Sequence, residues 1–165
     1  MLVYRLGAAG PDWDEMDLAG KGAAHSGGRW NQPGVPVVYT SSSIALAVLE
    51  TVVHLRAGLF PANRYVIEIE VPSAFFARRQ KVNPPPPDAW DSIPESLKTK
   101  DFGSAWASVA GTLVLDVPSV IVPRERNYLL NPTHPGIKKV KARNLGRFTY
   151  DTRLQPSPVA ASKTP

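Results

Sequence analysis

The residue types best suited to chemistry lie in the first third of the chain. Arg29 follows two glycines within the segment Gly27 to Asn31. A glycine pair allows a tight turn and lets a ligand's polar atoms approach the backbone closely. Tyr39 and Glu50 follow at short intervals. A guanidinium, a phenol and a carboxylate brought together can bind a phosphate, pack against a flat ring and face a developing positive charge.

The elements that must position these side chains can be predicted from the local sequence. Val37 to Thr40 is β-branched and aromatic and follows turn residues, so it predicts a strand. The serines at 41–43 offer helix N-caps. The apolar run after them predicts a helix from Ile44 to about Ala57, which Gly58 ends. One carboxylate therefore lies in an otherwise apolar helix.

That carboxylate needs a partner. On a helix surface Glu50 lies beside apolar residues such as Leu46 and Val53, so its side chain is predicted to be buried. An unpaired buried carboxylate is costly, which makes Arg29 the expected partner. Two interpretations stay open at this point: a purely structural Arg–Glu pair, and a pair that serves a ligand.

Five motifs occur in order along the chain: Gly-Gly-Arg-Trp-Asn, Val-Val-Tyr-Thr, Ala-Val-Leu-Glu, Val-Pro-Ser and Asn-Tyr-Leu-Leu-Asn-Pro. Together they resemble the RES domain, a family of bacterial toxins named for an arginine, a glutamate and a serine. The resemblance runs from about Tyr4 to Leu154. Ser26 departs from the pattern, since some members carry an aromatic or larger polar residue there. Most of the chain thus resembles one family.

The resemblance implies a compact α/β fold similar to ADP-ribosyltransferases, which consumes NAD and is held inactive by an Xre-type antitoxin. It implies catalytic roles at the three naming positions, which Arg29, Glu50 and Ser119 match. Ser119 follows a proline that breaks a β-rich run, so its hydroxyl is expected to be free. The resemblance implies that this hydroxyl lines the NAD pocket. The substrate-binding residues we expect are Tyr39, Gly28 and Asn127.

The chemistry that NAD cleavage requires fits this set. Positive charge builds on the ribose as the nicotinamide bond breaks, and a fixed carboxylate stabilises that charge in the transition state. Glu50 is the candidate for this role. Water as the acceptor gives a glycohydrolase, phosphate gives a phosphorylase, and a protein side chain gives an ADP-ribosyltransferase. A non-catalytic regulatory module stays open as an alternative of a different class.

Composition limits the other possibilities. The 165 residues fit one domain, and 43% hydrophobic with 20% charged residues is ordinary for a globular protein. There is no cysteine and the three histidines are far apart in sequence, so we expect no metal site and a reducing, cytoplasmic location. We predict neither a signal peptide nor a membrane span. The glycine-rich segment lacks a Walker ending, which argues against P-loop nucleotide binding.

The net charge of +5 comes largely from basic residues late in the chain, such as Lys138, Lys139 and Lys141. A basic surface can attract nucleic acid, a small anion or an acidic protein. No helix-turn-helix, zinc finger or interleaved basic and aromatic pattern is present in the sequence, so nucleic acid is not the expected ligand. The expected partners are NAD and the antitoxin, and a homodimer stays open.

The fold class we predict is mixed α/β, with one domain over residues 1–154. Its core is a bent or split, mostly antiparallel sheet of six to eight strands flanked by helices. A proline-rich connector spans Val82 to Pro87, and residues 155–165 form a flexible tail. The remaining predicted elements are strands at Arg64 to Val71, Thr112 to Val117, Val120 to Val122, Tyr128 to Asn131 and Arg147 to Tyr150, and a helix from Pro94 to Val109.

Overall fold

The computed structural model describes residues 1–54, 60–82 and 88–154. Four α-helices are α1 Lys21–Ser26, α2 Ile44–Val52, α3 Ser73–Ala77 and α4 Leu97–Val109, and 3-10 helices span Pro135–Lys139 and Thr152–Leu154. The strands are β1 Leu2–Gly7, β2 Val38–Ser41, β3 Tyr65–Glu70, β4 Gln80–Lys81, β5 Val114–Pro118, β6 Arg126–Leu130 and β7 Lys141–Arg147. These ranges are the elements of the described part of the chain.

The seven strands form one continuous sheet in the order β4-β5-β6-β2-β1-β3-β7. Neighbouring strands are antiparallel except β4 and β5, which are parallel. The sheet is therefore mixed but mostly antiparallel, with helices packed against it. This confirms the predicted α/β class and a strand number in the predicted range.

Each face of the sheet is covered by its own apolar cluster. Along β6, Leu129 belongs to one cluster, while Tyr128 and Leu130 belong to the other, as the alternation of a strand requires. Helix α3 supplies Phe75 and Phe76 to the face of Tyr128 and Leu130, and α4 supplies Trp106 and Ala107 to the face of Leu129. The functional side chains on β2 and β6 extend from the Leu129 face.

Helix α2 begins where the sequence indicates. The Ser43 side chain accepts a hydrogen bond from the backbone N–H of Leu46, so the last of the three serines is the N-cap. The helix ends at Val52, earlier than predicted, within a run of three β-branched residues that lose side-chain freedom in a helix. The predicted end at Gly58 lies outside the described residues.

Two predicted strands are wrong. Val120 to Val122 forms turns because the Ser119 hydroxyl accepts the N–H groups of Ile121 and Val122 and bends the chain away from a ladder. The last strand is Lys141–Arg147 rather than Arg147 to Tyr150. Its side chains are mostly exposed at the sheet edge, so the apolar alternation that marks a half-buried strand is absent.

Other predicted elements occur with shifted bounds. The predicted helix from Pro94 begins at Leu97, capped by Ser96, and ends at Val109 as expected. The strand predicted around Tyr65 to Glu70 is present, with Glu70 exposed and Glu68 paired to Arg143. The glycine-rich segment contains the short helix α1, which we did not predict. The proline connector beyond Val82 and the tail from residue 155 lie outside the described residues.

No helix in the described part of the chain has the length and apolar character to cross a membrane.

Candidate active site

Five of the six predicted site residues line one cleft of about 560 Å³. These are Gly28, Arg29, Tyr39, Glu50 and Asn127. They come from the turn before β2, from β2 itself, from α2 and from β6. A cleft of this size lies within the range of small-molecule sites. The fold thus brings together residues that are far apart in sequence.

The Glu50 carboxylate is held on one side by two neutral donors. Its Oε1 atom accepts a hydrogen bond of 2.7 Å from the Ser119 hydroxyl and one of 2.5 Å from the Asn127 side-chain amide. Its Oε2 atom accepts no hydrogen bond from the described residues. Glu50 is half-buried rather than buried, because its face of α2 opens onto the cleft. One carboxylate oxygen is therefore anchored, and the other has no partner in the described part of the chain.

Ser119 lies behind the cleft wall rather than in it. The residue is fully buried, and its hydroxyl donates to Glu50 while accepting the backbone N–H groups of Ile121 and Val122 at 3.1 and 3.0 Å. The prediction of a free hydroxyl that lines the pocket is therefore wrong. The turn fixes the serine, and the serine in turn fixes the position of Glu50.

The expected ion pair between Arg29 and Glu50 is absent. Arg29 Nη1 donates instead to the backbone carbonyls of Trp90 and Ser92, at 2.8 and 2.9 Å. These two carbonyls satisfy one guanidinium nitrogen, and Glu50 is satisfied by neutral donors, so neither group depends on the other. Within the described residues, Nε and Nη2 of Arg29 make no hydrogen bond.

Tyr39 holds the turn that carries Arg29. Its hydroxyl donates to Asn31 Oδ1 at 2.7 Å and accepts the backbone N–H of Trp30 at 3.0 Å. Burial raises the pKa of Tyr39 well above its ordinary value, with a smaller opposing effect from the Trp30 hydrogen bond. The hydroxyl therefore binds the turn through both of its hydrogen bonds, while Tyr39 also lines the cleft.

Gly28 is required by this arrangement. A Cβ atom at Gly28 would lie 2.7 Å from the Tyr39 hydroxyl oxygen and 3.0 Å from Asn31 Oδ1. The preceding residue, Gly27, has a φ of 72°, a conformation that side chains rarely adopt. The two glycines therefore serve different needs: Gly27 makes the turn, and Gly28 leaves space for the tyrosine.

Asn31 is a site residue that the sequence analysis did not single out. It is fully buried, and its side-chain amide donates to the carbonyls of Ala23, Gln32 and Val35 while its oxygen accepts from Tyr39. Its position at the end of the Gly-Gly-Arg-Trp-Asn motif is the sequence feature that could have indicated its importance. Asn31 is the residue that ties this motif to β2.

Arg5 on β1 also lines the cleft and was not predicted. Its guanidinium donates to the backbone carbonyls of Asp17 and Glu15, and no carboxylate among the described residues forms an ion pair with it. Burial lowers the pKa of Arg5, an effect that the nearby charges of Asp17 and Asp14 partly offset. The sequence feature that could have indicated Arg5 is its charge within the otherwise apolar segment Leu2 to Leu6.

The described residues offer no evident set of ligands for a metal ion. No group of three or more His, Cys, Asp or Glu side chains among them is arranged to hold a metal ion.

Comparison with known proteins adds to this geometry. The RES domain model matches residues 2–151. "Prs ADP-ribosylating toxin" from Sphingobium sp. strain YBL2 is 47% identical over 152 residues, which cover 92% of this chain and 94% of that protein. "Toxin Res" from Pseudomonas putida KT2440 is 35% identical over 156 residues, covering 93% of this chain and 99% of that protein.

The fold itself has a solved counterpart. A crystal structure of the M. tuberculosis MbcT-MbcA toxin-antitoxin complex contains a chain that superposes with a TM-score of 0.51. The match covers 87% of this chain and 83% of that chain at 20% identity, so it supports the fold alone. The family model and the two sequence relatives each span more than nine-tenths of the chain. This chain belongs to the RES domain family of toxins.

Proposed function

We propose that this chain is an NAD-consuming toxin that breaks the bond between nicotinamide and ribose. The observation that supports this most is the state of Glu50. One of its carboxylate oxygens is anchored by Ser119 and Asn127, while the other has no described protein partner and the side chain lines the cleft. A fixed, half-buried anion with one uncommitted oxygen suits a developing cation better than it suits a structural pair.

The chemistry follows from the charge on NAD. As the C1′–N bond breaks, its electron pair goes to the nicotinamide ring, which leaves as a neutral base and needs no acid. The ribose becomes oxocarbenium-like, and the Glu50 carboxylate stabilises the charge that builds there. The acceptor then bonds to C1′ and releases its proton.

The other cleft residues have roles that fit their contacts. Arg29 retains two guanidinium nitrogens, unbonded within the described residues, for a phosphate or ribose oxygen, and the half-buried Arg5 supplies a second cation for the pyrophosphate. Tyr39 would present its ring to nicotinamide or ribose, over a turn that Gly28 keeps open. Ser119 and Asn127 would act by orienting Glu50 rather than by contact with the sugar.

The acceptor separates two candidate functions. A relative of 47% identity is named an ADP-ribosylating toxin, which favours transfer of ADP-ribose to a protein side chain. Transfer to water or to phosphate, which would deplete NAD directly, is the second candidate. Both use the same bond cleavage and the same role for Glu50. They differ only in what occupies the acceptor side of the cleft.

An antitoxin of the Xre type is the partner we propose, and the cytoplasm, where NAD is abundant, is the proposed location. A structural neighbour was solved as a toxin-antitoxin complex, which is consistent with this partner. A basic surface for the antitoxin is offered by Lys138 and Lys139, in the last turn of a 3-10 helix, and by the nearby Lys141.

The electrostatic part of this proposal can be tested with salt, because exposed charge contacts are screened by salt. Co-purification that survives high salt and is insensitive to substitution of these lysines would remove the electrostatic part of this proposal.

The experiment that decides the function is incubation with NAD, with and without phosphate and with cell lysate, followed by chromatography and detection of modified proteins. Free nicotinamide is the product common to all cases. ADP-ribose indicates hydrolysis, its phosphate indicates phosphorolysis, and labelled protein indicates transfer. Intact NAD in every arm, with folded protein, would contradict the proposal.

In cells, expression without the antitoxin is expected to arrest growth and to lower NAD. Normal growth and unchanged NAD at confirmed soluble expression would count against the toxin assignment.

A further inference from the structure

We propose that Ser41 is a positioning residue for Glu50 and acts through the side-chain amide of Asn127. This inference rests on the proposed function, because it assigns a role in setting the carboxylate that acts on NAD. Ser41 belongs to neither the predicted site nor the family motif positions. Its importance comes from its place in the sheet.

Ser41 and Asn127 are directly opposite each other in the sheet. They are cross-strand partners in the register of β2 and β6. The Ser41 hydroxyl donates a hydrogen bond of 2.7 Å to Asn127 Oδ1, and Ser41 is only 4% exposed. Side chains opposite each other on one face of a sheet are close enough for such a bond. The pairing of β2 with β6 therefore places the Ser41 hydroxyl within hydrogen-bond distance of the Asn127 side-chain amide.

Glu50 determines which way the amide faces. An asparagine offers a donor on one side and an acceptor on the other. The carboxylate requires the donor, so Nδ2 of Asn127 faces Glu50 and Oδ1 faces away from it. That oxygen needs a donor of its own, because a polar group without a partner is costly when it is screened from water. Ser41 supplies that donor.

The two supports of Glu50 are built in the same way. Ser119 donates to Oε1 and is itself fixed by the N–H groups of Ile121 and Val122. Asn127 donates to the same atom and is itself fixed by Ser41. Each donor to the carboxylate is thus anchored by a second hydrogen bond. Ser119 is fixed by backbone N–H groups, whereas Asn127 is fixed by the side chain of Ser41, which a single substitution can remove.

This role predicts a specific kinetic effect. Without the Ser41 hydroxyl, the Asn127 amide loses the hydrogen bond to its Oδ1 atom and holds Glu50 Oε1 less firmly. Removing such outer hydrogen-bond partners costs about ten- to a hundredfold at metal sites, and we expect about tenfold here. The loss should fall on kcat, since Glu50 acts in the transition state, and the KM for NAD should change little.

The kinetic test compares Ser41→Ala and Ser41→Thr, the second of which keeps a hydroxyl. Thr133→Ala is the matched control, because the Thr133 hydroxyl also donates to an asparagine Oδ1, that of Asn131, over the same 2.7 Å but outside the cleft. Ser41→Ala should lower kcat about tenfold, Ser41→Thr should restore most of it, and Thr133→Ala should leave it unchanged. A raised KM with unchanged kcat would mean direct substrate contact and would overturn the proposal.

A double-mutant cycle tests the route through Asn127. Once Asn127→Ala has removed the amide, Ser41→Ala should have no further effect on kcat. Equal losses in both backgrounds would show that Ser41 acts in another way and would overturn the assignment.

A second measurement is independent of NAD chemistry. The side-chain amide protons of Asn127 can be followed by NMR, and their exchange with water should become faster in Ser41→Ala and stay unchanged in Thr133→Ala. Unchanged exchange in Ser41→Ala would overturn the positioning role whether or not the protein consumes NAD. Intact NAD in all variants, together with faster exchange, would instead contradict the proposed function and leave Ser41 as an anchor of Glu50.

Discussion

Arg29 and Glu50 line the same cleft without pairing with each other. The guanidinium binds two backbone carbonyls, and the carboxylate accepts from a serine and an asparagine. Neither charge is therefore the counter-ion on which the other relies for its stability. Within the described residues each charge keeps atoms without a hydrogen bond, which supports our proposal of a ligand with both a negative and a positive part. NAD, with its pyrophosphate and its nicotinamide cation, is such a ligand.

The Gly28 position gives a prediction about the turn. Gly28→Ala introduces a Cβ that must displace the Tyr39 hydroxyl, 2.7 Å away, so the Tyr39–Asn31 hydrogen bond should be lost. We expect a loss of about 1 to 3 kcal/mol in the free energy of unfolding, together with reduced NAD turnover. Urea unfolding and an NAD assay on one preparation measure both effects.

Gly111→Ala is the control for this substitution. A Cβ there meets only Val109 Cγ1, at an ordinary 3.7 Å, and Gly111 does not have a positive φ. It should leave stability and turnover close to those of the unmodified protein. If Gly28→Ala behaves like Gly111→Ala, the close packing of the turn against Tyr39 is not required.

The raised pKa of Tyr39 predicts how stability depends on pH. An unfolded tyrosine ionises near pH 10, whereas the folded Tyr39 keeps its proton to higher pH because it is buried. The unfolded state therefore loses protons first, and the free energy of unfolding should fall as the pH rises above about 10. Below that pH this contribution is fully present.

The test is the slope of stability against pH in Tyr39→Phe. Burial also raises the pKa of Tyr128 and Tyr150, so the decline should become shallower in this variant without disappearing. Denaturant unfolding at a series of pH values from neutral to strongly alkaline measures it. An unchanged slope in Tyr39→Phe would mean that the tyrosine ionises alike in both states.

A buried ion cluster outside the cleft predicts a structural effect. Asp116 is 4% exposed and contacts Arg79 Nε at 2.9 Å and Arg126 Nε at 2.6 Å. Breaking a fully buried pair costs about 3 to 5 kcal/mol, and partial exposure of both arginines lowers the expected loss for Asp116→Ala to about 2 kcal/mol. Urea unfolding measures this loss.

Asp88→Ala is the comparison for the ion cluster. Asp88 contacts Lys98 at the same 2.9 Å, but both side chains are exposed, so solvent screens the interaction. No measurable change in stability is expected from it. Equal effects of the two substitutions would show that burial does not decide the strength of these pairs.

The local elements of the site could be predicted because their signals are local. Turn residues before Val37 and serines before Ile44 indicate where β2 and α2 begin, and the structure confirms both. Edge strand β7 was misplaced because its exposed, basic residues lack an apolar alternation. A pattern can mark an element only where burial constrains the side chains.

The partners of Glu50 could not be predicted from spacing. Ser119 and Asn127 are 69 and 77 residues away from it, and only the pairing of β5, β6 and β2 brings them to α2. Arg29 was the expected partner because the predicted turn and strand could bring it to the helix that carries Glu50. The backbone carbonyls of Trp90 and Ser92, which bind it instead, carry no signal in the sequence.

Glu50→Gln tests the central claim most directly. Glutamine retains an oxygen that can accept from Ser119 and Asn127, and no described cation loses an ion-pair partner, so the melting temperature should change little. NAD should still bind. Turnover should fall roughly a hundredfold or more, because the charge that stabilises the ribose cation is gone.

The decisive measurement is NAD turnover by folded Glu50→Gln protein, with NAD affinity and melting temperature taken on the same preparation. The account predicts a folded protein that binds NAD and releases nicotinamide at no more than about one hundredth of the original rate. Near-normal release of nicotinamide by that folded variant would contradict the catalytic role of Glu50.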